Sequence, residues 1–491
     1  MEKIDLQKID FAKIKNKSYT REFMSHNGVV KLDETENIVK VAVADGGTHE
    51  ILNFIEGYHI PKKVIFYSVS KADFASFIGE TTHVEASPEQ KSESHEEKYA
   101  IDTITHDGPI INIINAICID AIRLDASDIH IEAQADFIQI RYRVDGVLRI
   151  VKKLEKSIFS SISNRIKIMA GLNTMEQRLP QDGRMTVEIG GEDIDLRVSV
   201  IPTTNGESIV LRIFIKSAKI LKLEELGFNK NDYKRIKSCV EQPNGLILLT
   251  GPTGSGKTTT LHALMETMAV NDLKIVAIED PVEQIIPGIN QVQINEDINL
   301  SFDGMLRRVL RQDPNVIMVG EIRDTATAEL ALRSALTGHL ILSTLHTNDS
   351  VSVIARLKDM GLDPYLIAAV LRCAVAQRLV RKVCPKCAGK TAIPKNIQSL
   401  MKKYKIKNDA TMLVSSGCQL CGDTGYRGRI VIGETLVIDP AIEEMIITQK
   451  PATEIVKYSE TAGMTSMTCD ALQKLADGLT TLSEIRQEIM L

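Results

Sequence analysis

The sequence is poor in aromatic residues: it has no tryptophan, and aromatic side chains make up 4% of its 491 residues. Proteins that bind single-stranded nucleic acid commonly stack the bases on aromatic side chains, so this scarcity argues against that mode of binding. A net charge of -5 argues against binding of nucleic acid over a large basic surface. We therefore expect no nucleic-acid partner.

The sequence also lacks long apolar runs. No stretch stays apolar over the roughly 20 residues that a membrane-spanning helix needs. Residues 1–5 carry acidic side chains and lack the apolar core of a signal peptide. We therefore expect a cytoplasmic protein without a transmembrane segment, whose eight cysteines are thiols or metal ligands rather than disulfides.

The most informative stretch is Gly-Pro-Thr-Gly-Ser-Gly-Lys-Thr at residues 251–258. It follows an apolar run and precedes a segment with helical spacing, which is the strand–loop–helix context of a P-loop. Glycines let backbone N–H groups surround phosphate oxygens, and the helix N-terminus adds partial positive charge. Lys257 is placed to reach the β- and γ-phosphates, and Thr258 to bind Mg²⁺. The candidate nucleotide ligands are Gly251, Pro252, Thr253, Gly254, Ser255, Gly256, Lys257 and Thr258.

From about residue 221, short apolar runs alternate with helical segments, which indicates a mainly parallel sheet. Acidic or hydrogen-bonding residues follow each apolar run: Glu279 and Glu283 follow the second, Glu321 the third and His346 the fourth. In an open α/β sheet, ligands lie beyond the carboxyl ends of the strands. The sequence therefore predicts that these side chains converge on the P-loop.

Each of these side chains has a predicted role. Glu321 would hold the hydration shell of Mg²⁺ or orient the attacking water. Glu279 and Glu283 are candidates to polarise that water. His339 and His346 flank the fourth apolar run, where a neutral imidazole could sense the γ-phosphate. A structural role is the alternative for both histidines.

Three arginines, Arg307, Arg308 and Arg311, fall on a predicted helix before the third apolar run. Arg307 and Arg311 are four residues apart and would share one face of that helix. An arginine supplied by another subunit can stabilise the charge of a transferred phosphoryl group. Spacing alone leaves this role and a solvated helix charge both open.

Two CxxC motifs, Cys384–Cys387 and Cys418–Cys421, suit a tetrahedral zinc site with four cysteine ligands. A single CxxC motif could be redox-active, but two of them in a cytosolic chain favour structural zinc. With all four ligand positions filled, we expect no catalysis there.

The chain ahead of the P-loop divides at a polar stretch. Residues 1–86 indicate a small α/β or α+β unit without a catalytic motif, and residues 87–100 indicate a flexible linker. Residues 101–220 indicate an α+β unit, residues 221–491 the α/β unit, and the tail from about residue 435 is expected to be helical.

Two stretches of the α+β unit allow local predictions. Asp128, His130 and Glu132 would share one face of a strand. A metal site is one interpretation, but no fourth ligand is evident, so a polar surface is favoured. Residues 181–184, Gln-Asp-Gly-Arg, are typical of a turn.

From about residue 108 to the C-terminus, the chain resembles the secretion ATPases of the type II secretion and type IV pilus superfamily, and among them the type II secretion ATPases. The matching stretches are residues 126–132, 141–146, 181–184, 251–260, 279–283, 310–314, 319–324 and 337–349.

The resemblance implies a RecA-like ATPase domain at 221–491 with a zinc-binding insertion at 384–421, preceded by a PAS-like α+β domain and a small N-terminal domain. It also implies a homohexameric ring with ATP between domains and subunits. Arg197 and Arg212 match family arginines that reach the nucleotide from the PAS-like domain. Arg307 and Arg311 match family arginines at the subunit interface.

The predicted function is hydrolysis of Mg-ATP to drive pseudopilus assembly and protein export by type II secretion. The chain would be recruited to inner-membrane platform proteins through residues 1–86. An ATPase that extends type IV pili is the nearest alternative. A nucleic-acid translocase with a zinc ribbon and a module that only binds nucleotide are less favoured.

Overall fold

The structure is a computed structural model. It describes residues 2–3, 28–35, 37–45, 47, 51–52, 55–56, 62–70, 74, 107–189, 192–214, 220–268, 272–295, 298, 300–407 and 411–491. The predicted linker at 87–100 lies outside these residues. The chain divides into two compact units: Met1–Ile122 with Ile129–Ile140 and Lys152–Ile213, and Arg123–Asp128 with Arg141–Val151 and Phe214–Leu491.

The strands, in chain order, are β1 (Glu2–Lys3), β2 (Val29–Glu34), β3 (Ile38–Ala44), β4 (Lys63–Val69), β5 (Ala126–Ala133), β6 (Phe137–Val144), β7 (Val147–Glu155), β8 (Gln181–Ile189), β9 (Glu192–Thr203), β10 (Gly206–Phe214), β11 (Gly245–Thr250), β12 (Ile275–Glu279), β13 (Asn290–Gln293), β14 (Val316–Val319), β15 (Leu340–Leu345), β16 (Leu371–Val383), β17 (Ala388–Ala392), β18 (Thr411–Ser415) and β19 (Tyr426–Val437).

The α-helices, in chain order, are α1 (Asp107–Arg123), α2 (Phe159–Met169), α3 (Lys230–Val240), α4 (Lys257–Thr267), α5 (Phe302–Val309), α6 (Thr325–Leu336), α7 (Ser352–Asp359), α8 (Pro364–Val370), α9 (Lys395–Lys403), α10 (Pro440–Ile447), α11 (Ala452–Thr461), α12 (Met467–Ala476) and α13 (Leu482–Glu488). Among the described residues, none of the helices combines the length and the hydropathy that a bilayer-spanning segment needs.

The four strands nearest the N-terminus form a small sheet in the order β1-β4-β3-β2. Strands β3 and β4 are parallel, whereas β2 and β3 are antiparallel. Alternate residues of β3 contribute to two separate apolar clusters: Ala42 packs with Val30, while Val41 and Val43 pack with Val29. Both faces of this short sheet are therefore covered, as the period of two along a strand requires.

A second sheet has six strands in the order β7-β6-β5-β10-β9-β8. Strands β6 and β7 are joined by Asp145 and Gly146, whose φ angles of 50° and 85° are both positive. Two positive φ angles in a two-residue connection are typical of a type I′ hairpin turn, for which Asp-Gly is a favoured sequence.

The turn predicted at residues 181–184 is wrong, because β8 begins at Gln181 and pairs in register with β9. A Cβ atom at Gly183 would lie 2.6 Å from the carbonyl oxygen of Ala170. The glycine therefore permits a close approach between two chain segments rather than a reversal of the chain. A sequence pattern cannot separate these two uses of glycine.

The largest sheet has seven strands in the order β13-β12-β14-β15-β11-β16-β19. All adjacent pairs are parallel except β16 and β19, which are antiparallel. Alternate residues of β11 face opposite layers: Leu246 and Leu248 pack in the cluster that contains α6, while Ile247 and Leu249 pack in the cluster that contains α4. Burial on both faces explains why β11 is an unbroken apolar run.

The helical tail begins slightly later than predicted. Strand β19 continues to Val437, which pairs with Cys373 of β16, and α10 begins at Pro440. The last helix, α13, is capped by Thr481, whose hydroxyl oxygen accepts a hydrogen bond from the backbone N–H of Glu484 at 3.3 Å. The carboxylate of Glu484 is bonded to Arg381 of β16, which ties the end of the chain to the central sheet.

Candidate active site

The loop between β11 and α4 has the backbone shape that its glycines allow. Gly251 and Gly256 have φ angles of 148° and 86°, which side chains with a Cβ atom rarely adopt. Gly256 is the N-cap residue of α4, and Lys257 is the first residue of the helix. The exposed N–H groups of this loop and helix end form a suitable cradle for phosphate oxygens.

Lys257 is held against this loop. Its Nζ atom donates hydrogen bonds to the carbonyl oxygens of Gly251 at 2.7 Å and Pro252 at 3.1 Å. Burial lowers the pKa of the Lys257 ammonium group; nearby Arg378 lowers it further, while the carboxylate of Glu321 acts in the opposite direction. The ammonium group therefore lies where phosphate oxygens could replace two carbonyl acceptors.

Glu321 directly follows Gly320 at the carboxyl end of β14. The hydroxyl of Thr344 on β15 donates to the carbonyl oxygen of Gly320 at 2.8 Å, and the N–H of Ile322 donates to the carbonyl oxygen of Thr344 at 3.0 Å. These bonds on both sides of Glu321 fix its backbone to the neighbouring strand. The sheet therefore determines the direction from which this carboxylate approaches the P-loop.

The carboxylate of Glu321 has two basic neighbours. Its Oε1 atom accepts a hydrogen bond from Arg323 at 2.6 Å, and its Oε2 atom lies 3.8 Å from Nε2 of His346. The hydrogen bond from Arg323 is the main reason why the pKa of Glu321 is lowered. Burial, followed by the positive charge of Lys257, lowers the pKa of His346. An ionised carboxylate and a neutral imidazole are thus the favoured forms near neutral pH.

The two histidines that flank β15 lie at opposite ends of this strand. His346 follows the carboxyl end, beside Glu321, whereas His339 precedes the amino end, roughly 20 Å away at the usual rise of a strand. Nδ1 of His339 is 3.0 Å from the carbonyl oxygen of Ser334 in α6. Within one chain only His346 meets the side chains predicted to act on the nucleotide.

Glu279 ends β12 as a buried residue with both carboxylate oxygens engaged. Its Oε2 atom is 3.1 Å from Nε2 of His262, and its Oε1 atom accepts from the side-chain amide of Gln291 at 2.8 Å. His262 lies on α4, and its side chain is buried. We did not identify His262 or Gln291 from the sequence. His262 lies on α4, which has several polar residues, and Gln291 lies in β13, Asn-Gln-Val-Gln, so no local pattern singles out either residue.

The remaining predicted residues are Glu283, Arg307 and Arg311 in the ATPase unit and Arg197 and Arg212 in the six-stranded sheet. Glu283 is exposed in the segment after β12. Arg307 is exposed on α5, while Arg311 is exposed on a 3₁₀ turn, Leu310–Gln312, so the two do not share one continuous α-helix. Arg197 lies on β9 and Arg212 on β10, in the six-stranded sheet. Their catalytic roles stay predictions.

The four cysteines of the two CxxC motifs form one cluster, with their sulfur atoms all within 4.8 Å of one another. The Sγ–Sγ distances are 3.9 Å for Cys384 and Cys418, 3.8 Å for Cys387 and Cys421, and 3.7 Å for Cys418 and Cys421. A tetrahedron with metal–sulfur bonds of about 2.3 Å has edges of about 3.8 Å. The sulfur atoms therefore fit a tetrahedral ion without rearrangement.

Backbone groups prepare one of these thiols for metal binding. The N–H groups of Gly425 and Cys418 donate to Sγ of Cys421 at 3.1 and 3.2 Å. Burial raises the pKa of this thiol, but hydrogen bonds to the sulfur stabilise the thiolate and lower the pKa. The net result is a pKa of about 6 for Cys421. A thiolate is the form that binds a metal ion.

The cysteine cluster is the only such group of metal-binding side chains among the described residues. Asp128, His130 and Glu132 do not form a second one. The carboxylate of Asp128 accepts from the hydroxyl of Ser127 at 2.8 Å and lies 3.4 Å from Nε of Arg143. Asp128 is buried, and its carboxylate is therefore engaged by protein groups rather than by a metal cluster with His130 and Glu132.

Comparisons with known proteins agree with the predicted class. Residues 103–487 match the family described as type II/IV secretion system protein. A type IV pilus assembly ATPase, PilB, of Myxococcus xanthus is 40% identical over 450 residues, which cover 88% of this chain and 79% of the relative. The type II secretion system ATPase E of Vibrio cholerae is 43% identical over 379 residues, which cover 77% of this chain and 75% of the relative.

Among solved structures, the X-ray structure of the Legionella pneumophila ATPase DotB is similar to this chain with a TM-score of 0.58 and 22% sequence identity, over 77% of this chain and 95% of that chain. At this identity the likeness concerns the fold. The predicted fold class, a RecA-like P-loop domain with a four-cysteine insertion behind smaller N-terminal domains, is confirmed.

Proposed function

The chain belongs to the type II/IV secretion system protein family and is an ATPase, and on that premise we propose that it couples hydrolysis of Mg-ATP to pseudopilus assembly in type II secretion. The observation that supports the hydrolytic part most directly is the placement of Glu321 and His346 beside the P-loop lysine, Lys257. An acidic group at this position can orient the water that attacks the γ-phosphate.

In the proposed mechanism, Lys257 exchanges its two carbonyl acceptors for β- and γ-phosphate oxygens. The hydroxyl of Thr258 would hold Mg²⁺, and Glu321 would hold the hydration shell of this ion or orient the attacking water. Glu283 is proposed to polarise that water, and neutral His346 to sense the γ-phosphate through Glu321. Glu279 is proposed to have a positioning role, because it links β12 to α4 through His262 and to β13 through Gln291.

We further propose that the active site is completed in a homohexameric ring. Arg307 and Arg311 are exposed on the isolated chain, which leaves both guanidinium groups open to a neighbouring subunit. Their side chains would stabilise the transferred phosphoryl group from the subunit interface, while Arg197 and Arg212 would reach the nucleotide from the PAS-like domain. Closed rings built from one repeated interface are a common form of homo-oligomer.

We propose zinc as the ion of the four-cysteine cluster, with a structural role. The sulfur spacing and the two backbone hydrogen bonds to Sγ of Cys421 support this choice. The ion would join the two ends of the insertion at 384–421, which contains the antiparallel pair β17 and β18 and the helix α9 between them. Its four sulfur ligands would leave no open position for a substrate.

Zinc content can be tested with two cysteine variants. Protein purified without added metal is expected to hold about one zinc per chain, since tetrahedral four-cysteine sites bind zinc tightly. Cys418→Ser should lose the zinc and unfold at a lower temperature, whereas Cys469→Ser, which lies outside the cluster, should retain it. Elemental analysis and thermal unfolding give the two readouts, and a full complement of zinc in Cys418→Ser would refute the assignment.

We propose a cytoplasmic location with recruitment to inner-membrane platform proteins through the domain at 1–86. The linker at 87–100 and the PAS-like domain at 101–220 would then connect that domain to the ATPase domain at 221–491. The small four-stranded sheet within residues 1–86, covered by apolar clusters on both faces, supports an independently folded partner-binding domain.

A second candidate function is extension of a type IV pilus. It is supported by the match to a pilus assembly ATPase over 88% of this chain, compared with 77% for the type II secretion ATPase of Vibrio cholerae. The hydrolytic site would be the same in both cases. The two proposals differ in the fibre that is assembled and in the cargo that depends on it.

A deletion of the gene in its own host separates these two functions. If the chain serves type II secretion, the deletion should abolish export of secreted proteins into the medium while surface pili remain. Wild-type chain should restore export and Lys257→Ala should not. Loss of surface pili with normal export would overturn the secretion proposal in favour of pilus extension, and loss of neither would overturn both.

A further inference from the structure

Strand β16 lies directly beneath the P-loop. It pairs in parallel with β11, with Ala376 opposite Thr250, so Gln377 is the next residue on the side where the P-loop begins. A Cβ atom at Gly251 would lie 2.6 Å from the carbonyl oxygen of Gln377, and one at Gly256 would lie 3.3 Å from its Nε2 atom. Glycine at both positions therefore lets the loop rest on Gln377.

The side chain of Gln377 is completely buried, and its Nε2 atom donates a hydrogen bond to the carbonyl oxygen of Ser255 at 2.8 Å. Because a carbonyl can only accept, the nitrogen of the side-chain amide must be the atom that faces it. The Oε1 atom is buried without a hydrogen-bond partner in the structure. Burial of an oxygen atom without a hydrogen-bond partner is unfavourable. The presence of the amide here therefore indicates that the one hydrogen bond from Nε2 is needed.

The bond from Gln377 fixes the orientation of one peptide group in the P-loop. The carbonyl of Ser255 and the N–H of Gly256 belong to the same peptide bond, which is planar and trans. The two groups therefore point in opposite directions. When Gln377 draws the carbonyl of Ser255 towards β16, the N–H of Gly256 is directed away from β16, to the concave side where phosphate oxygens are bound.

The next residue of β16, Arg378, links the backbone of Gln377 to the segment that follows β15. Arg378, which is 7% exposed, donates to the carbonyl oxygen of Gln377 at 3.0 Å and to that of Asn348 at 2.9 Å. Asn348 lies in the segment that follows β15 and His346. The support of the P-loop is therefore joined to the strand end that carries His346.

We propose that Gln377 is a positioning residue for ATP hydrolysis, which holds the Ser255–Gly256 peptide so that its N–H group is ready for the phosphates before nucleotide binds. It does not touch the nucleotide. Because the peptide group is already oriented, no free energy is spent on turning it when the nucleotide binds, as with other preorganised hydrogen-bond donors. The inference concerns the hydrolytic site alone, and does not depend on which fibre is assembled.

The first test replaces the amide with an apolar group of similar length. Gln377→Met should weaken binding of Mg-ADP about tenfold, since one preorganised hydrogen-bond donor is lost. The matched control is Thr435→Val, a similar loss of a buried polar group on the adjacent strand β19, opposite Val375. This control should keep wild-type affinity. Calorimetric titration gives affinity, and thermal unfolding without nucleotide shows how far each variant is destabilised.

The second variant distinguishes hydrogen bonding from mere packing. In Gln377→Glu, the ionised carboxylate cannot donate to Ser255, but the protonated acid can, and burial raises the pKa of such a carboxyl group. Its affinity for Mg-ADP, relative to wild type at the same pH, should therefore rise as the pH falls from about 8.5 to 5.5 and exceed that of Gln377→Met.

Two outcomes would overturn the proposal. One is wild-type affinity in Gln377→Met. The other is a recovery of Gln377→Glu at low pH that stops at the level of Gln377→Met, because relief of charge repulsion with the phosphates would explain that result without a hydrogen bond to Ser255. The expected pair of results, a tenfold loss in one variant and an acid-dependent gain in the other, has no explanation in reduced stability alone.

Discussion

Replacing Lys257 with alanine is expected to lower ATP turnover by roughly 10²- to 10³-fold, the usual effect of removing one charged or hydrogen-bonding group that stabilises a transition state. The structure already holds the ammonium group over the P-loop, bonded to Gly251 and Pro252. Phosphate oxygens would gain a full positive charge there, and alanine provides none. Release of inorganic phosphate from Mg-ATP under saturating nucleotide measures the effect.

The control for this change is Lys274→Ala. Lys274 is an exposed lysine immediately before β12, in the same unit of the chain. Its loss should leave turnover unchanged, because surface charges far from the reacting atoms contribute little. Normal turnover in Lys257→Ala would mean that the chain does not hydrolyse ATP at this P-loop.

Replacing Glu321 with glutamine is expected to lower turnover by about 10²-fold or more while ATP affinity changes only a few-fold, since a group that acts on the attacking water contributes mainly in the transition state. Glutamine has the same size but cannot carry the charge that Mg²⁺ or water requires. ATP should therefore bind and remain intact. Equilibrium binding and single-turnover hydrolysis, measured on the same preparation, separate the two effects.

Glu329→Gln is the matched control for Glu321→Gln. Glu329 lies on α6, is solvent-exposed and forms an ion pair with Arg333 at 2.8 Å, so the same chemical change removes one salt bridge outside the site. Wild-type turnover is expected in this control. If Glu321→Gln turned over ATP at the rate of Glu329→Gln, Glu321 would have no role in hydrolysis.

The same Glu321 variant also tests whether the site is shared between subunits. Arg307→Ala should be inactive if its guanidinium group completes the site of a neighbour. Mixing it with Glu321→Gln should then restore activity, because about a quarter of the interfaces in a randomly mixed ring would combine an intact Glu321 with an intact Arg307. No gain on mixing, under conditions where both variants form rings, would place Arg307 outside a shared site.

Several features were determined by the sequence because they are built from residues close together in the chain. The consecutive residues 251–258 supply the loop, the lysine and the first residues of α4. Each half of the cysteine cluster is likewise a local CxxC pair. The position of Glu321 followed from one rule, that polar residues after buried parallel strands gather at one edge of the sheet.

Other contacts depend on which strands lie next to each other in the sheet, and these contacts could be found only from the tertiary structure. Gln377 meets the P-loop because β16 pairs with β11, more than 120 residues away in sequence, and no local pattern records that pairing. Pairing of His262 with Glu279 depends in the same way on α4 packing over β12. The separation of His339 from His346 depends on the extended length of β15.

The sequence by itself thus predicted a nucleotide-binding P-loop at residues 251–258, because a P-loop is made by consecutive residues whose backbone supplies the ligands. The tertiary structure decided how that loop is held, that His346 and not His339 stands beside Glu321, and that residues 181–184 form a strand instead of a turn. Those are matters of strand order, register and close approach, which are set by contacts between distant parts of the chain.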